Sequence, residues 1–511
     1  MIVPTPGRRR FTLINLFFQY ASLFLSMVQG LLLVPLYVSH LSLPLYGAWL
    51  AMSSVVIWLS MLDPGVSAVF QQRIGAAFGR RDKGGMEEAI GTGVALNILV
   101  YGCLLAAAAA GAPLLPGFLH IYGDQSRLLV KCFLLEVGAE ALLSLALTFS
   151  SISISVMVFP VTIGVIYLAA TASGIAVTAW LLMRGWGLAA LPIGSLVRGG
   201  GLFVAYGLIS AWSCRRTLGL QPRITREEFR AISSLTGYSW VGRIGEGMTG
   251  EVDAFLVGYF LGPTAIPLMT MTRNASDVIQ QASSRVASAF LPGLTHLHSE
   301  RSAAGSRELS MRLMRIVIWT GAFGAAGYLA LNERFVTLWV GRSLFGGKTL
   351  TLLFAGLLLW QAVGRALSRV LFSLGHIRDT GVVGAAEAFV RALTLFALLS
   401  CGVGVAAVPW AGIAAAAATG GWFLPRVFSR ELGMDISQSW GLIREFLLSV
   451  FVLAALGLAW PRLTAPTSSW MSFIGQAAGF SACAFIIISL ISITFRRELS
   501  AATRSIPSWK N

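Results

Sequence analysis

Charge is scarce in this chain. Asp, Glu, Lys and Arg make up 12% of its 511 residues, about half the share usual in a soluble domain. No polar block is long enough to hold a soluble catalytic domain, and no low-complexity tract interrupts the apolar pattern. Cysteine is scarce as well. Cys103, Cys132, Cys214, Cys401 and Cys483 are scattered without a CxxC, so spacing indicates neither a disulfide framework nor a zinc site. Catalytic signatures are missing too: there is no nucleophile elbow and no HExxH. Residues 339–349 nearly spell a P-loop. They carry one residue too many between Gly341 and Gly347-Lys348, and no strand precedes them. His296 and His298 have no further ligand-type residues nearby and read as a solvated loop. The expectation is a non-enzyme without cofactor or metal.

What the chain has in abundance is apolar length. Hydrophobic residues are 56% of it, and a membrane helix needs about 20 of them in a row. The expected fold class is an all-α polytopic membrane protein of about fourteen spans. They are placed at 11–38, 46–70, 89–111, 127–150, 157–182, 187–212, 232–260, 264–292, 313–331, 350–372, 382–402, 408–428, 443–460 and 470–494. The N-terminal Arg8-Arg9-Arg10 followed by apolar sequence to Val38 reads as an uncleaved first span, its apolar run being too long for a signal peptide.

The net charge of +16 would suit a nucleic-acid binder, but its distribution argues otherwise. Lys and Arg gather in alternate loops, at 71–88, 213–230, 296–315 and 426–444, and at both ends. The loops between are poor in them, with 332–348 a mild departure. Such alternation places the basic loops and both termini in the cytoplasm. No nucleic-acid partner is expected. The basic loop at 213–231 marks the best lobe boundary. It divides a lobe at 1–231, a second at 232–436, and a terminal pair with a basic tail at 437–511.

Against this apolar background, polar residues fall in stripes. An ionised group at a membrane-helix centre costs roughly 2.5–3.5 kcal/mol, so it usually faces an interior or a cavity. At 100° per residue, Arg243, Glu246, Gly250 and Asp253 share one helix face, and Arg273, Asp277, Gln280 and Ser284 share another. Asn15, Gln19, Ser22, Ser26 and Gln29 form a stripe in the first span, open to a cavity reading or to hydrogen bonding between helices. Gln361, Arg365, Ser368 and Arg369 form one in the tenth. Arg369 and Arg285 also lie close enough to the interface to snorkel. Arg198 sits mid-span beside Gly199-Gly200-Gly201, Glu387 and Arg391 are spaced as a structural ion pair, and Glu136 and Glu140 lack an obvious partner. Asp63, before Pro64-Gly65, is a candidate ion-coupling position. Arginines outnumber partners, and guanidinium suits bidentate capture of phosphate. The candidate substrate site is therefore Arg243, Arg273, Arg365, Arg198 and Arg369. Asn15, Gln19, Gln29, Asp63, Glu246, Asp253, Asp277, Gln280 and Gln361 supply cavity polarity or couple transport to H+ or Na+.

Pro35-Leu36-Tyr37-Val38-Ser39-His40-Leu41-Ser42, Tyr46-Gly47-Ala48-Trp49 and 58–66 resemble the polysaccharide transporter family. So do Gln71-Gln72-Arg73-Ile74-Gly75 and Gly79-Arg80-Arg81-Asp82, and Leu338-Trp339-Val340-Gly341 looks like a second landmark. That family includes the O-antigen and lipid-linked oligosaccharide flippases of the multidrug/oligosaccharidyl-lipid/polysaccharide exporter superfamily. The resemblance implies two six-helix lobes in a V around a central cavity, with two further C-terminal helices. It implies alternating access that carries a polyprenyl-diphosphate-linked oligosaccharide across the bacterial inner membrane, and a cavity arginine at a position that Arg273 resembles. The expected partners are the lipid-linked glycan, membrane lipids and the glycan polymerase or export machinery. The rival expectation is a cation-coupled multidrug antiporter, for which Glu246, Asp253, Asp277 and Trp240 would supply an acidic, aromatic pocket. A membrane-bound glycan polymerase or ligase would need a large outer loop, which the sequence lacks.

Overall fold

Apolar sequence in hydrocarbon must satisfy its backbone amides internally, and helices do so within one segment. The structure, a computed structural model, describes the backbone of 8–61, 66–155, 159–217, 219–299, 303–466 and 469–491. Within these segments it describes side chains except at 8–13, 15, 16, 19, 58–61, 66–69, 72, 76, 79, 217, 235–251, 285–299, 303 and 377. The regular structure among the described residues is helical.

The chain divides into two compact units, Met1–Ile266 and Pro267–Asn511. The first holds α1 (Arg8–His40), α2 (Leu43–Met61), α3 (Val66–Gly79), α4 (Lys83–Gly111), α5 (Leu115–Phe118), α6 (Asp124–Ser155), α7 (Pro160–Met183), α8 (Ala190–Trp212) and α9 (Arg226–Leu261). The second holds nearly all of α10 (Ala265–Ser299), then α11 (Ala303–Val340), α12 (Lys348–Ser373), α13 (Ile377–Ser400), α14 (Ala407–Ala418), α15 (Gly420–Glu431), α16 (Ile436–Leu463) and α17 (Trp470–Ile491). Each of the fourteen expected spans falls on a helix or a helix pair. The second is divided between α2 and α3. The twelfth breaks between α14 and α15 at Thr419, whose φ of −114° and ψ of −88° leave the helical region. Ten helical segments among the described residues are long and apolar enough to cross a membrane. The chain is a multi-pass membrane protein. The polar-striped α6, α9 and α10 are long enough as well: the 32 residues of α6 reach about 48 Å at 1.5 Å each.

Small residues set the packing inside the first unit. A Cβ on Gly199 of α8 would stand 2.5 Å from the Ala139 carbonyl oxygen of α6. One on Gly174 of α7 would stand 2.9 Å from the Gly194 carbonyl oxygen of α8. Backbones approach this closely in membranes only where side chains are absent. The result is a three-helix layer of α6, α7 and α8 with little room for error.

The motif residues 71–82 fasten the ends of helices. Arg73 of α3 makes a bidentate ion pair with Glu228 of α9. Asp82 caps α4, its side chain accepting from the Gly85 amide at 2.9 Å. The segment before α9 runs across α4: the Gln221 amide donates to Glu87 at 3.0 Å and the Thr225 amide to Thr92 Oγ1 at 3.1 Å. In the second unit, Arg334 of α11 donates to the Pro461 and Thr464 carbonyls at 3.1 Å each and also to Gln476, which ties down the α16–α17 pair.

Candidate functional site

Each unit carries its own polar cluster. In the first, the glycine-lined contact of α8 with α6 and α7 brings Arg198 against three groups. Its guanidinium donates to the Tyr167 hydroxyl at 2.9 Å. Glu136 and Glu140, one turn apart on α6, both lie within its electrostatic reach. Ser195, one turn before Arg198, donates to Glu136 Oε1 at 3.1 Å. Glu136 Oε2 and Arg198 Nε are buried atoms with no hydrogen-bond partner among the described residues. The opposite charge that the sequence did not offer for the two glutamates is that of Arg198, whose field reaches both. Tyr167 and Ser195 were not flagged at all, because a contact between helices leaves no trace in local spacing.

The second unit gathers more charge. Arg273 and Asp277, four residues apart on α10, form an ion pair at 2.9 Å. On α12 the polar stripe follows the burial pattern. Ala362, Ala366, Leu367, Val370 and Leu371 are buried, whereas Gln361, Ser368 and Arg369 are half-buried and Arg365 is exposed. Arg365 nevertheless lies in the electrostatic field of Glu387, Arg369, Asp277 and Arg391. These charges are contributed by α10, α12 and α13. Arg369 donates to the Ser284 carbonyl of α10. Arg391 is 4% exposed and, with Arg365, acts on Glu387. A Cβ on Gly412 of α14 would lie 2.8 Å from its guanidinium.

The remaining sequence-predicted positions are dispersed. Asp253 on α9 is 1% exposed in the first unit, and Gln280 on α10 is 6% exposed, its amide nitrogen without a hydrogen-bond partner among the described residues. Gln29 is half-buried on α1. Ser26, in the same stripe, bonds the Ser22 carbonyl of its own helix at 3.0 Å. The side chains of Asn15, Gln19, Arg243, Glu246 and Arg285, and the whole of Asp63, lie outside the described residues. No group of three or more metal-binding side chains occurs among the described residues.

The turn between α12 and α13 carries a titratable bridge. His376 Nδ1 is 2.9 Å from Asp379 and Nε2 is 2.9 Å from Glu431, at the end of α15. Both nitrogens donate only in the imidazolium form. These hydrogen bonds, to Glu431 first and then Asp379, raise the His376 pKa above its usual value near 6.5. The bridge therefore stabilises the folded chain fully below the unfolded pKa and loses its contribution as pH rises through the folded pKa. His376→Gln protein should melt below the parent in mildly acidic buffer, and the gap should close in alkaline buffer. A gap independent of pH would contradict this reading.

These observations meet three comparisons. Residues 131–343 match the family model described as "Polysaccharide biosynthesis protein". This segment includes Arg198, the Arg273–Asp277 pair and the Leu338–Gly341 landmark, but not the resembling stretch at 35–82. The lipid II flippase MurJ, in an inward closed conformation, superposes with a TM-score of 0.67 at 13% identity, covering 95% of this chain and 99% of MurJ. The chain has the fold of the MOP-superfamily transporters. A multidrug-resistance MATE family transporter of that superfamily, inward-facing, gives 0.61 at 13% identity over 84% of this chain and 95% of its own. No curated protein sequence matches. The family match covers residues 131–343 alone, and at such identities the structural matches speak for the fold alone.

Proposed function

We propose that this membrane protein is a flippase that moves a polyprenyl-diphosphate-linked oligosaccharide, an O-antigen or exopolysaccharide repeat unit, across the bacterial inner membrane by alternating access. The observation that carries the proposal is the gathering of guanidinium groups in the second unit. Arg365 lies in the electrostatic field of Arg369 and Arg391 as well as of Glu387 and Asp277, and Asp277 pairs with Arg273. A diphosphate diester carries two negative charges. In a low-dielectric site attraction between such charges and guanidinium is stronger than in water, and guanidinium groups can bind its oxygens two at a time. A cationic drug would meet repulsion there, which disfavours the antiporter reading. The half-buried carboxylates Glu136 and Glu140, which outnumber the guanidinium beside them, are suited to exchange H+ or Na+ as the coupling ion. The basic loops and both termini face the cytoplasm.

The test is the leaflet distribution of the lipid-linked intermediate in cells lacking the protein. The expected result is accumulation on the cytoplasmic leaflet, relieved by the intact gene. An unchanged distribution, with drug resistance that tracks expression, would favour the antiporter instead.

A further inference from the structure

Arg273 does not hold its place unaided. The residue before it, Thr272, is buried and bonded through both its oxygens. Its carbonyl accepts from the Tyr328 hydroxyl at 2.7 Å and from Asn332 Nδ2 at 3.1 Å, both on α11. Its hydroxyl accepts from the Gly346 amide at 2.7 Å and donates to the Leu268 carbonyl at 2.8 Å. Thr351, at the start of α12, closes the ring: its hydroxyl lies 3.3 Å from Asn332 Nδ2 and donates to the Gly347 carbonyl at 3.1 Å. Tyr328, Asn332 and Thr351 are all nearly inaccessible, and Tyr328 lies in the electrostatic field of both Asp277 and Arg273.

This is more bonding than one helical carbonyl needs. A carbonyl within a helix already serves the amide four residues on, and here two side chains add to it. The ring joins α10, α11, the connecting loop and α12 at the residue beside the ion pair. It also explains the P-loop look-alike. The Gly346 amide points at Thr272 rather than cradling a phosphate.

We infer that Tyr328, Asn332 and Thr351, with the loop at 341–347, form a clamp on Thr272 that positions Arg273 for the anionic headgroup. The inference rests on the proposed diphosphate site. Tyr328 is a positioning residue that acts through Arg273, so the two should be coupled. Tyr328→Phe removes one hydroxyl and leaves the packing in place.

The experiment measures binding of a polyprenyl-diphosphate monosaccharide and of the matching monophosphate to the full-length protein in nanodiscs. The parent, Tyr328→Phe, Arg273→Ala and double-variant proteins are compared, with Thr272→Val as a second lesion in the clamp. Loss of one hydrogen bond at such a site should weaken diphosphate binding about fivefold. The monophosphate should be affected less, and Tyr328→Phe should add nothing in the Arg273→Ala background, the mark of coupled residues. Thr272→Val should behave as Tyr328→Phe does. If both clamp variants bind like the parent, or their losses add fully to that of Arg273→Ala, the clamp is structural and the inference falls. If Arg273→Ala itself leaves diphosphate binding intact, it is the proposed function that fails.

Discussion

Arg365→Ala protein should fold and insert as the parent does, yet support little or no glycan export. Arg365 belongs to no close ion pair among the described residues, and charges from α10 and α13 act on it. Removing it should therefore leave the helix intact. What is lost is the ligand's contact. Truncating one member of a desolvated, hydrogen-bonded charge pair costs about 2–5 kcal/mol, so transport at limiting substrate should fall by about a hundredfold. Arg365→Lys should restore only part of it, because an ammonium cannot reproduce the planar fork. Export assays with membrane levels matched by immunoblot would decide. Parental export by Arg365→Ala would remove this residue from the site.

The second large effect concerns stability. Gly199→Val should cost about 1–3 kcal/mol or more, as overpacking does, because the new carbon would press on the Ala139 carbonyl, which belongs to helix backbone and cannot rotate away. Its neighbours provide an internal control. A Cβ at Gly200 or Gly201 meets nothing within 4 Å, so valine there should be tolerated. The same lesion would push Arg198 away from Glu136 and Glu140. Melting temperatures of the three detergent-solubilised variants test this directly, and equal melting would sink it.

These two predictions draw on different kinds of information, and so did the reading of the sequence. The helices were legible because span length is set by bilayer thickness and the breaks fall at strong punctuators. The Leu261-Gly262-Pro263-Thr264 turn is one such break, with Gly262 at a φ of 84° that other residues rarely adopt. The break at Thr419 was not legible, because the apolar run continues through it. Within the site, the Arg273–Asp277 pair was readable from a spacing of four, since helical neighbours recur at that interval. The stripe on α12 was readable for the same reason, and burial follows it. The grouping of Arg365 with Glu387, and of Arg198 with Glu136 and Glu140, depends on which helices touch. That is decided by glycine-lined contacts and appears in no local pattern. The clamp on Thr272 was hidden for a further reason: its central acceptor is a backbone carbonyl, which every residue has.

The most direct test of the central claim uses purified protein in sealed vesicles, with a fluorescent polyprenyl-diphosphate oligosaccharide in the outer leaflet and a membrane-impermeant quencher outside. The expected result is protection of the label at a rate that rises with protein content and is largely lost in Arg365→Ala. If the parent protein moves no more label than empty vesicles under an imposed proton or sodium gradient, or if Arg365→Ala moves it equally well, translocation through an arginine-lined site is contradicted.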